Sequence, residues 1–349
     1  MKTALLLLPC LCAARPQPAQ VPPGDVRYVR DSAWTPALPD GATASAAAVD
    51  QYGSVYVAQR TAGSEPIWVL SGVDGSVERT WGSDTIGSAH GVSIQMTDEK
   101  EELVWVADIA NHTLNVYPTD ADGAMTAQLG TAGVAGNATD PVQFDHIADV
   151  AFHGDNAYAA DGDGGTGNRV VALEGTSQQA LGALTGFDSP HSVAVHAPSE
   201  LLVIADRDNN RTALRRLADG SDAGLWACTE KLNLGEGGKP FGVRTFKGRG
   251  LDLAFFAVMD NPQDGRHQRL YVIDATELAT LDAAAGGSKK GANPAYVGTC
   301  PVLQTILLPG AVISGPHLIG VDPVDGALYV ACLNADPLST VMKFTIESG

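Results

Sequence analysis

An all-β chain folded as a six-bladed β-propeller is what this sequence predicts, and three observations predict it. Glycine and proline are frequent, at 39 and 20 of 349 residues, and long helical patterns are scarce. Short apolar runs alternate with turn residues, as in all-β repeat folds. A unit of strand, turn and a run resembling Tyr-Val-Ala-Asp recurs six times. The first four intervals are about 45 to 55 residues, the spacing of propeller blades.

The elements follow unit by unit. First strands are expected at 46–49, 91–94, 149–152, 192–195, 242–245 and 318–321. Second strands are expected at 55–58, 104–107, 157–160, 202–205, 255–258 and 328–331. Four of the six show the aromatic or β-branched alternation that suits strands. Third strands are expected at 67–70, 113–117, 169–173, 212–217, 269–273 and 341–344. Residues 275–300 interrupt the last interval as an inserted loop with a short helix from Ala275. Six units closed in a ring leave few exposed edges, and residues 26–38 are placed to supply the outer strand that closes it. The alternative is an open array of β-sandwiches, which a repeat of this period disfavours.

Residues 1–19 read as a signal peptide with a lead-in, and 26–349 as a single propeller domain. Lys2 supplies the charge, residues 4–14 the apolar stretch, and Ala13-Ala14 a small-residue cleavage site. The apolar run is too short to span a bilayer, so no membrane span is expected. A secreted or lumenal monomer follows, with sequons at Asn111, Asn137 and Asn210 in keeping with that route. Residues 15–25, rich in proline and glutamine, are expected to be disordered. The net charge of -18 argues against a nucleic-acid partner, because nothing would neutralise phosphates. Outside the leader the cysteines are Cys228, Cys300 and Cys332. One disulfide and one free thiol is the simplest arrangement, with Cys300–Cys332 the expected pair.

The residue just before each first strand carries the chemistry. In chain order these are Ser45, His90, Ala148, His191, Phe241 and His317. Histidine occupies units two, four and six, which a six-fold ring relates by a third of a turn. If this strand is innermost, three imidazoles point at one axis with one position left open, as in catalytic zinc centres. Any one of them alone reads more simply as a hydrogen-bonded channel residue. The remaining histidines, His112, His153, His196 and His267, read as loop or surface residues, with His146 a candidate outer partner of the site.

In an antiparallel meander the end of the second strand returns to the mouth where the first begins. That mouth therefore gathers Arg60, Asp108, Asp161 with Asp163, and Asp206-Arg207-Asp208. Arg60 stands where other units have aspartate. A cation there suits a carboxylate-bearing substrate, or pairs with a neighbouring aspartate. The recurrent aspartates read as structural acceptors in turns, with Arg169 and Arg211 as candidate partners.

Two stretches carry a family resemblance. They are Phe187-Asp-Ser-Pro-His-Ser-Val-Ala-Val and Leu202-Val-Ile-Ala-Asp-Arg-Asp-Asn-Asn-Arg211. His90-Gly-Val-Ser-Ile, Val104-Trp-Val-Ala-Asp-Ile-Ala-Asn-His112 and Asp149-Val-Ala-Phe add to them. Together they resemble the peptidyl-α-hydroxyglycine α-amidating lyases, NHL-repeat propellers that form the second half of peptide-amidating enzymes. The resemblance runs from about residue 44 to 217 and returns at 316–332. It implies zinc on His90, His191 and His317, an active-site arginine at Arg60, and cleavage of a peptidyl-α-hydroxyglycine to amidated peptide and glyoxylate. The chain departs from the family where Asp163 follows Asp161-Gly162 in place of a tyrosine, where Gly315 replaces a methionine, and where Leu318 replaces an aspartate tied to a structural calcium. Calcium is therefore doubtful, and Asp163 is the candidate substitute base. A catalytically inactive propeller that binds a ligand or protein is the competing expectation, and a metal-dependent hydrolase a third.

Overall fold

The computed structural model describes residues 15–120, 123–232, 234, 238–259, 268–281, 295–308, 315–333 and 340–347. The leader-like residues 4–14 and His267 lie outside the described residues. After a short N-terminal strand, β1 (Tyr28–Arg30), blade 1 runs β2 (Ala44–Val49), β3 (Ser54–Gln59), β4 (Ile67–Ser71) and β5 (Val77–Trp81). Blade 2 runs β6 (Ala89–Met96), β7 (Glu102–Asp108), β8 (Thr113–Pro118) and β9 (Ala127–Leu129). Blade 3 runs β10 (Ile147–His153), β11 (Asn156–Asp161), β12 (Arg169–Glu174) and β13 (Ala180–Leu184). Blade 4 has β14 (Pro190–His196), β15 (Leu201–Asp206), β16 (Arg211–Arg216) and β17 (Asp222–Trp226), with β21 (Tyr296–Val297) added in parallel at its edge. Blade 5 has β18 (Lys239–Gly248), β19 (Leu251–Met259), β20 (Arg269–Asp274) and β22 (Val302–Leu307), and blade 6 has β23 (Pro316–Val321), β24 (Leu328–Cys332) and β25 (Val341–Ile346). Strand β1 completes blade 6 by pairing antiparallel with β25, so the ring closes with its first and last described strands in one sheet, as the sequence predicts.

The second strand of each blade explains the continuous apolar run. Side chains alternate across a strand, and here both faces of the sheet are covered by neighbouring blades. In β7, Val104 and Val106 pack toward blade 1 while Trp105 and Ala107 pack toward blade 3. In β19, Phe255 and Ala257 face blade 6 while Ala254, Phe256 and Val258 face blade 4. The core is thus a ring of inter-blade layers. The six inner strands β2, β6, β10, β14, β18 and β23 contact one another in that order and back to β2, around the channel.

Two expectations are corrected. The disulfide joins Cys228 to Cys300, and Cys332 is the free thiol. Cys300 packs with Cys228 and Trp226 in the layer between blades 4 and 5, whereas Cys332 sits at the end of β24 in the layer between blades 5 and 6. Burial pushes the Cys332 thiol up to about 12, which keeps it protonated and inert. Residues 15–25 are docked against the ring. Arg15 pairs with Asp322 at 2.6 Å and Asp325 at 3.0 Å, and Val21 is buried beside Phe246 and Leu251. The inserted loop holds a 3-10 helix, Thr276–Thr280, close to its expected start.

Candidate metal centre

The first and second strands of every blade pair with a shift in register at the same place. The shift skips Ser45 in blade 1, His90 in blade 2, Ala148 in blade 3, His191 in blade 4 and Phe241 in blade 5, and in blade 6 it spans His317. A bulge adds one residue to a strand and re-aims its side chain. Repeated six times, it turns one residue per blade toward the axis. Histidine fills three of those positions, and the outcome is a tight trio. The ring centroids are 4.9 Å apart for His90 and His191, 4.7 Å for His90 and His317, and 4.6 Å for His191 and His317. One ring nitrogen from each lies within 4.8 Å of the others, and all three residues are buried.

The odd blades hold the rings of the even ones. His90 Nδ1 lies 2.8 Å from the Ala148 carbonyl, His191 Nδ1 2.6 Å from that of Phe241, and His317 Nδ1 2.6 Å from that of Ser45. These acceptors are the bulge residues of blades 3, 5 and 1. A carbonyl only accepts, so each Nδ1 carries the proton and each Nε2 presents a lone pair to the axis. This is the outer hydrogen bond that orients metal-ligating histidines. His90 Nε2 and His191 Nε2 are buried with no hydrogen-bond partner among the described residues. Orphaned buried acceptors are costly unless something binds them. Burial holds all three rings neutral: it depresses His90 and His317 and pushes His191 down to about 3, with the Arg207 charge adding to it. Three neutral, convergent imidazole nitrogens are a donor set that fits zinc.

Two charged residues from the sequence reading reach this mouth. Asp163 Oδ2 is 2.9 Å from His90 Nε2, without the alignment of a hydrogen bond, and Oδ1 is 3.6 Å from His191 Nε2. Its backbone is fixed by a hydrogen bond from its N–H to the His146 carbonyl at 3.0 Å. Burial raises the Asp163 carboxyl, but the Arg207 guanidinium on Oδ1 opposes this and the carboxyl stays below its usual range. Among the described residues Arg60 makes no ion pair with an aspartate. Its Nε donates to the Ala89 carbonyl at 3.2 Å, while Nη2 is buried and unpartnered. Burial lowers its pKa, partly offset by Asp163, and its charge is felt by His90 and His317.

Arg207 is the site residue that sequence reasoning named only as part of a loop. It donates to Asp163 Oδ1 at 2.5 Å and lies over the Phe241 ring at 5.1 Å. Asp208 pairs with Arg207 at 3.1 Å and with Lys239 at 2.5 Å. The signal was the cation after Asp206 in the fourth unit, where the second and third units carry Ile109 and Gly162.

The other residues resolve as follows. Asp108, Asp161 and Asp206 are turn acceptors, taking backbone N–H bonds from Gly87 and Ser88, from Asp145 and His146, and from Asp188. Arg169 and Arg211 pair with Asp161 and Asp206. The His146 ring turns to Asp145, so only its carbonyl serves the site. His112 is half-buried and bonds the Asp145 carbonyl. His196, expected near the surface, is buried between blades 4 and 5, bonded to Asp252 at 2.9 Å and Ser199 at 2.6 Å. The buried channel aspartate, Asp149, is already taken by a two-pronged pair with Arg244, at 2.6 and 2.8 Å, and by Ser192 at 2.6 Å. A guanidinium supplies the positive charge there.

The mouse protein named NHL repeat-containing protein 3 is 31% identical over 307 residues, covering 84% of this chain and 78% of the mouse protein. The chain belongs to the NHL repeat-containing protein 3 family. The human member is 29% identical over 325 residues, covering 89% of this chain and 82% of the human one. No protein-family model matches the chain. Among solved structures, a gluconolactonase from Xanthomonas campestris superposes with a TM-score of 0.58 at 11% identity, covering 95% of this chain and 99% of the other. The WD40 repeats of RRP9 give 0.54 at 9% identity, covering 95% and 100%. At such identities the likeness is one of fold. This member of the NHL repeat-containing protein 3 family is thus a six-bladed propeller.

Proposed function

We propose that this protein holds a zinc ion on His90, His191 and His317 and works at that mouth on a substrate bearing a terminal carboxylate. The observation that carries the reading is the three neutral rings with Nδ1 locked to carbonyls and Nε2 turned inward. Arg60 supplies the carboxylate partner, because its buried Nη2 has none among the described residues. The reaction class that suits this set is cleavage of a peptidyl-α-hydroxyglycine. Zinc would supply electrophilic polarisation of a substrate oxygen. The hydroxyl proton leaves to a base, the carbon–oxygen double bond of glyoxylate forms, the carbon–nitrogen bond breaks and the amide nitrogen takes a proton. Asp163 is, among the described residues, the carboxylate nearest the trio, but its Oδ1 is already engaged by Arg207, which makes it a weaker base. That favours a second reading, in which the propeller binds a carboxylate ligand at the same place without turning it over. A secreted, monomeric protein goes with either reading.

Incubation of the zinc-loaded protein with a peptidyl-α-hydroxyglycine decides between the two. Glyoxylate formation that falls on Arg60→Ala supports the lyase. Absence of glyoxylate, with saturable binding of the peptide by calorimetry, supports the ligand-binding propeller.

A further inference from the structure

We infer that Asp163 is a built-in fourth ligand, which closes the metal centre until an external carboxylate displaces it. The inference rests on the trio being a metal centre and adds how that centre is regulated. Each Nδ1–H is committed to a carbonyl, so His90 and His191 offer Asp163 lone pairs and no proton. A carboxylate 2.9 and 3.6 Å from two lone-pair nitrogens is repelled by both. A cation among the three groups removes the repulsion and satisfies every one of them. The two separations fall on either side of the spacing of neighbouring vertices around a small ion. With metal–ligand distances of about 2.0–2.2 Å, tetrahedral neighbours lie roughly 3.3–3.5 Å apart.

The surroundings fit a displaceable ligand. Gly162 admits no side chain, since a Cβ there would lie 2.2 Å from Pro190 Cδ, and this close passage carries the chain over the site just before Asp163. Arg207, braced by Asp208 and by the Phe241 ring, holds Asp163 Oδ1 on the outer side. An incoming carboxylate has a second cation in Arg60, and Asp163 on leaving remains paired with Arg207. The device is therefore a carboxylate exchange between two guanidinium groups, with no change in net charge at the ion.

The test is cobalt(II) substitution with azide as the probe. For the wild type, the visible cobalt spectrum is expected to be four-coordinate and unmoved by azide. In Asp163→Asn and Asp163→Ala the spectrum should shift with azide, and zinc affinity should fall by roughly 10- to 100-fold, as for loss of a group that supports a metal site. Two variants are used so that one folded protein suffices, judged by circular dichroism. Arg207→Gln should keep the azide-insensitive spectrum. If the wild-type spectrum responds to azide as the Asp163 variants do, or zinc affinity is unchanged in them, the fourth-ligand role is overturned while the metal centre stands. If the wild type binds neither cobalt nor zinc, both fall together.

Discussion

His90, His191 and His317 owe their neutrality to burial and their aim to three carbonyl groups, and both have consequences that can be measured. Gly91 follows the bulge in blade 2, and a Cβ there would lie 2.4 Å from the Ala148 carbonyl oxygen that accepts from His90. Gly91→Ala should therefore cost about 1–3 kcal/mol by overpacking and weaken zinc binding, read by denaturant unfolding and zinc titration. Retained zinc affinity with unchanged stability would contradict the carbonyl's role. Acid should act on the metal-free protein through the same rings. His191 is pushed down to about 3 in the fold, against about 6.5 when unfolded. The unfolded chain then binds more protons between those values, so stability should fall as pH drops below about 6.5. Asp163, depressed in the fold, adds to the loss as pH falls through its unfolded value near 3.8. A urea midpoint that stays level between pH 7 and 5 would count against this.

At the scale of the strand, the trio was legible because histidine recurs at one place in alternate units. The reason it converges was not. A bulge in every inner strand turns that place to the axis, and a bulge leaves no mark in apolar periodicity. The outer strands of blades 1 to 5 were also missed, for the opposite reason. In β5 the sequence Val77-Glu-Arg-Thr-Trp81 is mostly exposed, and β9 has only three residues. Neither buries enough to show a pattern, whereas the second strands, covered on both faces, do. The Asp149–Arg244 pair joins residues 95 apart in the chain, which spacing alone does not reveal. Cysteine count fixed one bridge but not its partners. Removing it should cost about 2–5 kcal/mol. Cys228→Ser and Cys300→Ser should lose the same amount, with no further loss in the double variant, measured by unfolding under non-reducing conditions. Additive losses would contradict the pairing.

The whole ring depends on its closure by the N-terminal strand. Tyr28 is buried against Phe255, with ring centroids 5.6 Å apart, and its hydroxyl donates to the Gly326 carbonyl at 2.9 Å. Tyr28→Ala should cost about 3–5 kcal/mol, as for other buried aromatics. A chain beginning at Asp31 should melt well below one beginning at Arg15, since blade 6 would lose its outer strand. Equal melting temperatures would show that the ring holds without it. Closure matters to the site because His317 stands in blade 6 and is held by Ser45 of blade 1, across the seam. The trio exists only when the ring is shut. Metal content is therefore the most direct test of the account. Purified wild-type protein, loaded with zinc and passed over a desalting column, should retain one zinc per chain, and His191→Ala, folded by circular dichroism, should retain almost none. Equal zinc in the two proteins, or none in the wild type, would contradict it.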